Sequence, residues 1–308
     1  MINQQFSCPI CNSPSNIQIM DNRPDYEFGL PYKVNYHLCL NKSCELVFVS
    51  PIPSASEISK FYQTYSTHNS NIKIDKLQLI AKVNQNLYLK RIAGLFNNDR
   101  LDNVNVLDFG CGNGNLMKHL LSIGVTNVIG YDMDPNACSC AIAEGLNAYS
   151  DLEKIEANGL YNYIFLNHVI EHLSDPADTI RFLSTHLKPG GKIIIRTPNS
   201  KSFLAGFFGE MWRGWETPRH LHVFNVKSIR KLIEGISGVT ITKLETSNYM
   251  FSGIFNESFH SVFFRQTILG KVLRKLIFVL LLPISLVFNL VYAIKGEEIS
   301  MIASKNNS

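Results

Sequence analysis

The stretch VLDFGCGNGN, Val106 to Asn115, sets an acidic residue and three glycines in one turn directly after an apolar run. Glycine carries an entropic cost, so such a turn is used where the backbone must take positive φ or where something approaches closer than a Cβ allows. About twenty residues later Asp132 ends the next apolar run, where a carboxylate can accept hydrogen bonds from both hydroxyls of a ribose. Together the two places can bind a nucleoside. The spacing of Gly110, Gly112 and Gly114 is G-x-G-x-G, not the G-x-G-x-x-G that cradles a dinucleotide pyrophosphate, and Asp108 at its start suits a ligand carrying an ammonium group. A nicotinamide oxidoreductase would need the longer spacing.

Two later stretches could act on whatever the nucleoside carries. In NHVIEHLSDP, His168, Glu171 and His172 share one face if they open a helix. That face could take a divalent ion, but the expected role of Glu171 and His172 is to organise a turn. GFFGEMWRGWETPRHLHVFN, Gly206 to Asn225, holds both tryptophans of the chain, two arginines and two histidines. Aromatic rings with polar groups between them suit a lid over a ring-bearing or sugar-like acceptor. Within it His220 is the candidate base or acceptor ligand and Arg219 the candidate anchor for anionic groups, while His222 and Trp212 are expected to pack.

A third set of residues can hold a metal. Cys8 and Cys11 form a C-x2-C clip and Cys39 and Cys44 a C-x4-C clip, a spacing suited to a four-thiolate zinc ribbon whose closed ligand set makes it structural. The polar segment between the clips would draw much of its folding free energy from the metal. Cys111, Cys138 and Cys140 show no ligand pattern.

These residues need elements to position them. Apolar strand runs at Val104–Phe109, Asn127–Tyr131, Ala148–Tyr149, Tyr161–Leu166 and Lys192–Thr197 alternate with helical patterns at Asn115–Ile123, Pro135–Glu144, Leu152–Ala157 and Ala177–Leu187. Regular alternation of this kind predicts an α/β fold, Rossmann-like, with a mostly parallel sheet, helices on both faces, and ligands at the carboxyl ends of the strands. The expected organisation is a zinc-ribbon-like domain over 1–50, a linker with a helix over Ile74–Phe96 in 51–100, and the nucleoside-binding domain over 101–308, with a lid at 203–225. The 308 residues, 45% hydrophobic and 18% charged, can bury a substantial core. A net charge of +4 without a basic stripe speaks against nucleic acid as a partner. The N-terminus lacks the basic start and apolar run of a secretory signal, which points to a cytoplasmic setting with reduced thiols.

In order, VLDFGCGNG, VIGYDMDP, YNYIFLNHVIEHLSDP and LKPGGKIIIRTPN resemble the successive motifs of class I S-adenosylmethionine-dependent methyltransferases from about Leu101 onward. The cysteine clips followed by LVFVSPIPSASEISKFY are similar to the zinc-binding region ahead of some of these enzymes, sugar C-methyltransferases among them. The resemblance implies S-adenosylmethionine (SAM) as cofactor and a sheet whose last strand is antiparallel. It implies that Asp108 and Gly110 hold the methionine end, that Gly112 allows close approach, and that Asp132 takes the ribose. Met133 would flank the adenine, Asp151 would reach its amino group, and Asn167 and His168 would lie beside the methyl group. The family often carries Asp where this chain has Asn162, at a position expected to be structural.

The implied function is methyl transfer to a small-molecule acceptor, either a nucleotide- or lipid-linked sugar or a quinone-like or lipid acceptor at a membrane surface; a non-catalytic module keeping the cofactor fold is the alternative of another class. The run Leu276 to Ile294 is apolar enough for a bilayer span, and Lys271, Arg274 and Lys275 precede it. However, Val239–Ser247 and Glu297–Lys305 read as the last two strands and are neighbours in the resembling fold, so a single crossing between them would separate partners. The 249–296 insertion is therefore expected to dock on the domain, or to meet a membrane surface peripherally through 271–295.

Overall fold

The computed structural model describes residues 6–25, 29–62, 89–96, 99–248, 253–255, 257–259 and 295–307. Three antiparallel strands come first, β1 (Asn16–Pro24), β2 (Lys33–Cys39) and β3 (Val47–Val49), followed by helix α1 (Ala55–Tyr62). The alternating part then runs β4 (Asn105–Phe109), α2 (Asn115–Ser122), β5 (Asn127–Tyr131), α3 (Pro135–Ala143), β6 (Ala148–Tyr149), α4 (Leu152–Ala157), β7 (Tyr161–Asn167), α5 (Pro176–Thr185) and β8 (Leu187–Pro198). Helix α6 (Phe203–Phe208), the short strand β9 (His222–Val223), α7 (Val226–Glu234), β10 (Val239–Ser247) and β11 (Glu298–Lys305) complete it.

Helix starts follow side-chain chemistry. Asp134, Asp151, Asp175 and Ser202 each accept a hydrogen bond from a backbone N–H in the first turn of α3, α4, α5 and α6, and Asn225 forms a capping box with Ser228 at α7. The large sheet has the order β10-β11-β8-β7-β4-β5-β6, and β11 alone runs against its neighbours. Strand order reverses between β4 and β7, so the crevice at their carboxyl ends is where an open α/β sheet binds ligands.

β10 and β11 pair from Val239↔Lys305 to Ser247↔Glu298, so the segment between them leaves and returns at one place on the sheet. Residues 271–294, and with them the apolar run, lie outside the described residues, as do 74–88 of the expected linker helix. Among the described residues no helix is long and apolar enough to cross a membrane.

The small sheet has the order β1-β2-β3-β9, and its fourth strand comes from the segment expected to be a lid. Cys8, Cys39, Cys44, Leu46 and Phe48 also share one hydrophobic core with Leu107, Ile164, Ile195 and Phe224 of the larger domain. The N-terminal region is thus built into the main fold, not appended to it.

Candidate active site

The glycine turn folds over the ends of β4 and β5, with the N–H groups of Gly110 and Cys111 both donating to the Tyr131 carbonyl. Gly110 has φ +81°, and a Cβ there would lie 2.3 Å from the Val169 side chain. Gly112 has φ +53° but no heavy atom within 4 Å of its would-be Cβ, so it leaves a gap facing open space. Asp132 turns back toward this gap: its Oδ2 accepts from the Gly112 N–H and its Oδ1 from the Asp134 N–H, both at 2.9 Å. A cavity of about 250 Å³ opens beside the turn, lined by Asp108, Gly110, Gly112, Asn115, Asn167 and Arg196 among others.

Asp108, Gly110, Gly112 and Asn167 therefore come together, with Asp132 joined to them through Gly112. Met133, 63% exposed, and the exposed Asp151, whose Oδ1 accepts from the Glu153 N–H, stand on the open side beyond β5 and do not line the cavity. Asn162 does structural work, its carboxamide oxygen accepting from the Asn105 N–H and from Lys188 Nζ. Burial, with the Asp132 charge adding to it, pushes the Asp108 carboxyl up to about 7. A buried carboxyl in this state is suited to a cation. The gap at Gly112, the oriented Asp132 and the buried Asp108 fit a nucleoside with an ammonium group.

On the other wall of the crevice His168 has φ +53°, uncommon for a residue with a Cβ. Its Nε2 is 2.8 Å from Glu298 Oε1 and its Nδ1 is 3.4 Å from Glu171 Oε1. Burial opposes a charged ring here, but the two carboxylates outweigh it and push His168 up to about 9. Burial would likewise raise Glu298, yet Arg196 and His168 hold it at about 2, and Arg196 Nε donates to Glu298 Oε2 at 2.9 Å. His168 is thus an imidazolium locked between carboxylates. In that state the ring donates a proton and does not accept one. Arg196 and Glu298 were missed from the sequence, although an arginine in the apolar run IIIRTP signals a buried charge that requires a partner.

The same network sets a stability profile. A raised histidine stabilises fully below its unfolded value near 6.5 and loses that contribution as pH climbs through about 9; Glu298 loses its own as pH falls through about 2. The thermal midpoint should fall by about 4 °C between pH 7 and pH 9.5, and His168→Gln should flatten that slope in calorimetric scans.

The 203–225 segment is a packed wall. Trp212, Arg219, His220, Leu221, His222 and Phe224 are all buried. Arg219 lies 3.5 Å from Asp25 and 3.2 Å from Glu216, so its guanidinium faces carboxylates of the fold itself. His220 Nδ1 donates to the Gly214 carbonyl at 2.8 Å, which leaves Nε2 with its lone pair, 3.5 Å from Glu216 Oε2. Burial pushes His220 down to about 4 against the pull of Glu216. Its ring meets that of His172 edge-on, with centroids 4.7 Å apart, and Tyr62 Oη is 3.0 Å from His172 Nδ1. Glu171, His172 and His220 bring one ligand-type atom each within 4.8 Å of one another. Of the expected His168, Glu171 and His172 face, His168 has turned to Glu298 and His220 has taken its place. Glu171 also does the organising work, its carbonyl accepting from the Leu221 N–H and its Oε2 from Thr197 Oγ1.

The four N-terminal sulfurs converge. Cys8 and Cys44 Sγ are 3.8 Å apart, Cys11 and Cys39 Sγ 3.5 Å apart, and all four lie within 4.8 Å of one another. Thiolates around a tetrahedral zinc at about 2.3 Å would stand about 3.8 Å apart. The Cys44 thiol pulls Cys8 down to about 5, while burial pushes Cys39 up to about 12 and the Cys8 thiolate pushes Cys44 up. A divalent cation would hold all four sulfurs as thiolates, and Asn41 Nδ2 already approaches Cys11 Sγ at 3.6 Å.

A methyltransferase-domain family matches residues 76–236. The ubiquinone biosynthesis O-methyltransferase of Vibrio parahaemolyticus is 30% identical over 166 residues, covering 50% of this chain and 68% of that protein. The mitochondrial enzyme of the same description from Dictyostelium discoideum is 35% identical over 124 residues, but the chain spans only 38% of its length, and 34% of this chain is covered. Magnesium protoporphyrin IX methyltransferase from Synechocystis, solved with bound SAH, shares the fold with a TM-score of 0.52 at 14% identity, over 82% of this chain and 100% of that one. With the ordered motifs, the reversed β11 and the crevice between β4 and β7, the chain belongs to the class I S-adenosylmethionine-dependent methyltransferases.

Proposed function

We propose that this enzyme methylates a hydroxyl group on a small, ring-bearing acceptor held against the 203–225 wall. The observation that carries the reading is His220, a buried imidazole fixed by its Nδ1 on the Gly214 carbonyl, with Nε2 3.5 Å from Glu216 Oε2 and its ring pushed down to about 4 by burial. A quinol-like ring is the first choice of acceptor, supported by the names of the relatives and by the aromatic wall. A nucleotide- or lipid-linked sugar is the second, supported by the cysteine module. Exposed Phe203 and Phe207, stacked on α6, favour an acceptor met at a membrane surface, with 271–295 as the peripheral contact.

SAM, when bound, supplies a methyl group already activated for transfer, so the protein's own task is to align, to exclude water and to accept a proton. Asp108 and Gly110 would hold the methionine end, Gly112 would allow close approach, Asp132 would take the ribose, and Met133 and Asp151 would border the adenine. Asn167 would lie beside the methyl group, with Arg196 fixing that wall. Zinc on Cys8, Cys11, Cys39 and Cys44 would be structural. The proposed organisation remains a ribbon-like region over 1–50, a linker over 51–100 and a catalytic domain over 101–308.

Calorimetric titration with SAM and NADH on one sample, followed by labelled-methyl transfer to catechols, nucleotide sugars and polyprenyl-linked sugars, tests the reading. Binding of NADH in place of SAM would overturn it, and labelling of a sugar alone would move the acceptor to the second choice. The state of Asp108 adds a further expected result. An ammonium group beside it favours the ionised form, so binding releases a proton below pH 7. Affinity should then rise about tenfold per pH unit up to about pH 7 and flatten above it. Asp108→Asn should remove that slope when titrations are repeated in buffers of different ionisation enthalpy.

A further inference from the structure

We infer that the four-cysteine module positions the acceptor wall, with Tyr36 as the residue that carries the coupling, so that the metal state of the module governs the acceptor side of the site and leaves the cofactor side alone. The inference rests on the proposed zinc and on the 203–225 segment being the acceptor wall.

The connection is short and buried. Tyr36 lies in the middle of β2, the strand that ends at Cys39, and is fully buried. Its hydroxyl proton is shared between the carbonyls of His220 at 3.1 Å and Trp215 at 3.2 Å, and its ring lies 5.2 Å from that of Trp215. The neighbouring strand β3 pairs with β9 at Val47↔Val223 and Phe48↔His222, and the Val49 N–H donates to the Leu221 carbonyl at 2.8 Å. At the second cysteine clip, Asn225 Nδ2 donates to the carbonyls of Cys44 at 3.1 Å and Glu45 at 2.7 Å. Both ends of the His220 segment are therefore fastened to strands or turns that carry metal-binding cysteines.

The cofactor crevice is fastened elsewhere. The glycine turn is tied to Tyr131 and Asp132, and Asn167 and Arg196 belong to β7 and β8. The strands beneath it meet the cysteines by packing, through Leu107, Ile164 and Ile195 in the shared core, whereas the His220 segment is hydrogen-bonded to the strands and second clip of the module. Loss of the metal would free β2 and the 44–49 turn, and the strain would reach Trp215 and His220 first.

The two tryptophans of the chain, Trp212 and Trp215, both sit in this wall, so their fluorescence reports on it without an acceptor. Metal content is measured on the full-length protein, the metal is drawn out with a mercurial and a chelator, and Zn2+ is then returned. Removal should shift tryptophan emission to the red and raise acrylamide quenching about threefold, while SAM affinity by calorimetry stays within about twofold. Returning Zn2+ should reverse both changes. Tyr36→Phe keeps the ring and removes only the hydroxyl. It should move the emission in the same direction and, by NMR, bring His220 up from its depressed value toward that of an ordinary histidine, again without change in SAM affinity. Emission that ignores both treatments, or SAM affinity that falls together with it, overturns the inference. A protein that purifies without metal removes the zinc reading, and Tyr36→Phe then decides the coupling by the same readouts. Wild-type protein that fails to bind SAM overturns the cofactor reading, while the fluorescence still tests the coupling.

Discussion

Asp132→Ala should weaken SAM binding by about a hundredfold to ten-thousandfold in calorimetric titration, with the fold retained. A carboxylate offers about four lone-pair positions, and Asp132 spends one on the Gly112 N–H and one on the Asp134 N–H. Those two backbone bonds fix its orientation and leave two positions for the hydroxyls of a ribose. Hydrogen bonds to a charged group contribute about 1.5–3 kcal/mol each, so losing two costs about 3–6 kcal/mol, which at 1.4 kcal/mol per decade is the loss stated. Asp132→Asn keeps one oxygen acceptor and should cost about tenfold. The Asp132 charge also helps to hold Asp108 up at about 7, so in Asp132→Ala the pH at which residual affinity levels off should move down. Binding within about threefold of wild type would remove Asp132 from the nucleoside site and with it the assignment of the crevice.

The cofactor half of the molecule was legible because its signals are local. Strand runs such as Asn127–Tyr131 and helix starts such as Asp134-Pro135 are written in a few consecutive residues, and the structure places them where those residues imply. The exception is KPGG, which reads as a helix stop followed by a later strand but lies inside β8. The strand pairs Tyr161↔Leu187 and then Tyr163↔Lys192, so the residues between form a bulge that local periodicity cannot distinguish from a turn. The acceptor half depends on contacts far apart in sequence. Glu298 meets Arg196 across 102 positions, Tyr36 meets His220 across 184, and β3 finds its fourth-strand partner in the wall. Nothing in the composition of PRHLHV distinguishes a solvent-facing lid from a buried strand. Arg219, whose type and place suit an anchor for ligands, has Asp25 and Glu216 beside it in the fold, a pairing that no local pattern announces.

His220→Ala should lower kcat by about a hundredfold to ten-thousandfold while leaving SAM affinity unchanged, the range over which positioned bases act. Three side chains are expected near the acceptor, His220 as base or acceptor ligand, Arg219 as an anchor for anionic groups and His168 beside the methyl group, and their surroundings separate them. Arg219 is a buried guanidinium between carboxylates, and His168, pushed up to about 9, is already protonated at pH 7. His220 is held at about 4 by burial, so its Nε2 is free at neutral pH, and the Gly214 carbonyl fixes the tautomer by accepting from Nδ1. A base of that value is weak until the proton arrives, at which point Glu216 at 3.5 Å turns the imidazolium into one member of an ion pair. Glu216→Gln should accordingly cost about tenfold in kcat. The pH profile gives the decisive reading. If His220 is the base, activity should hold as pH falls below 6.5 and drop only as the ring titrates near 4, whereas a limb near 9 would return the role to His168. Turnover of His220→Ala equal to wild type with the acceptor in hand would leave His220 a packing residue like His222, and the proton would then have to leave through solvent, which the buried wall around Trp212 and Phe224 is built to exclude.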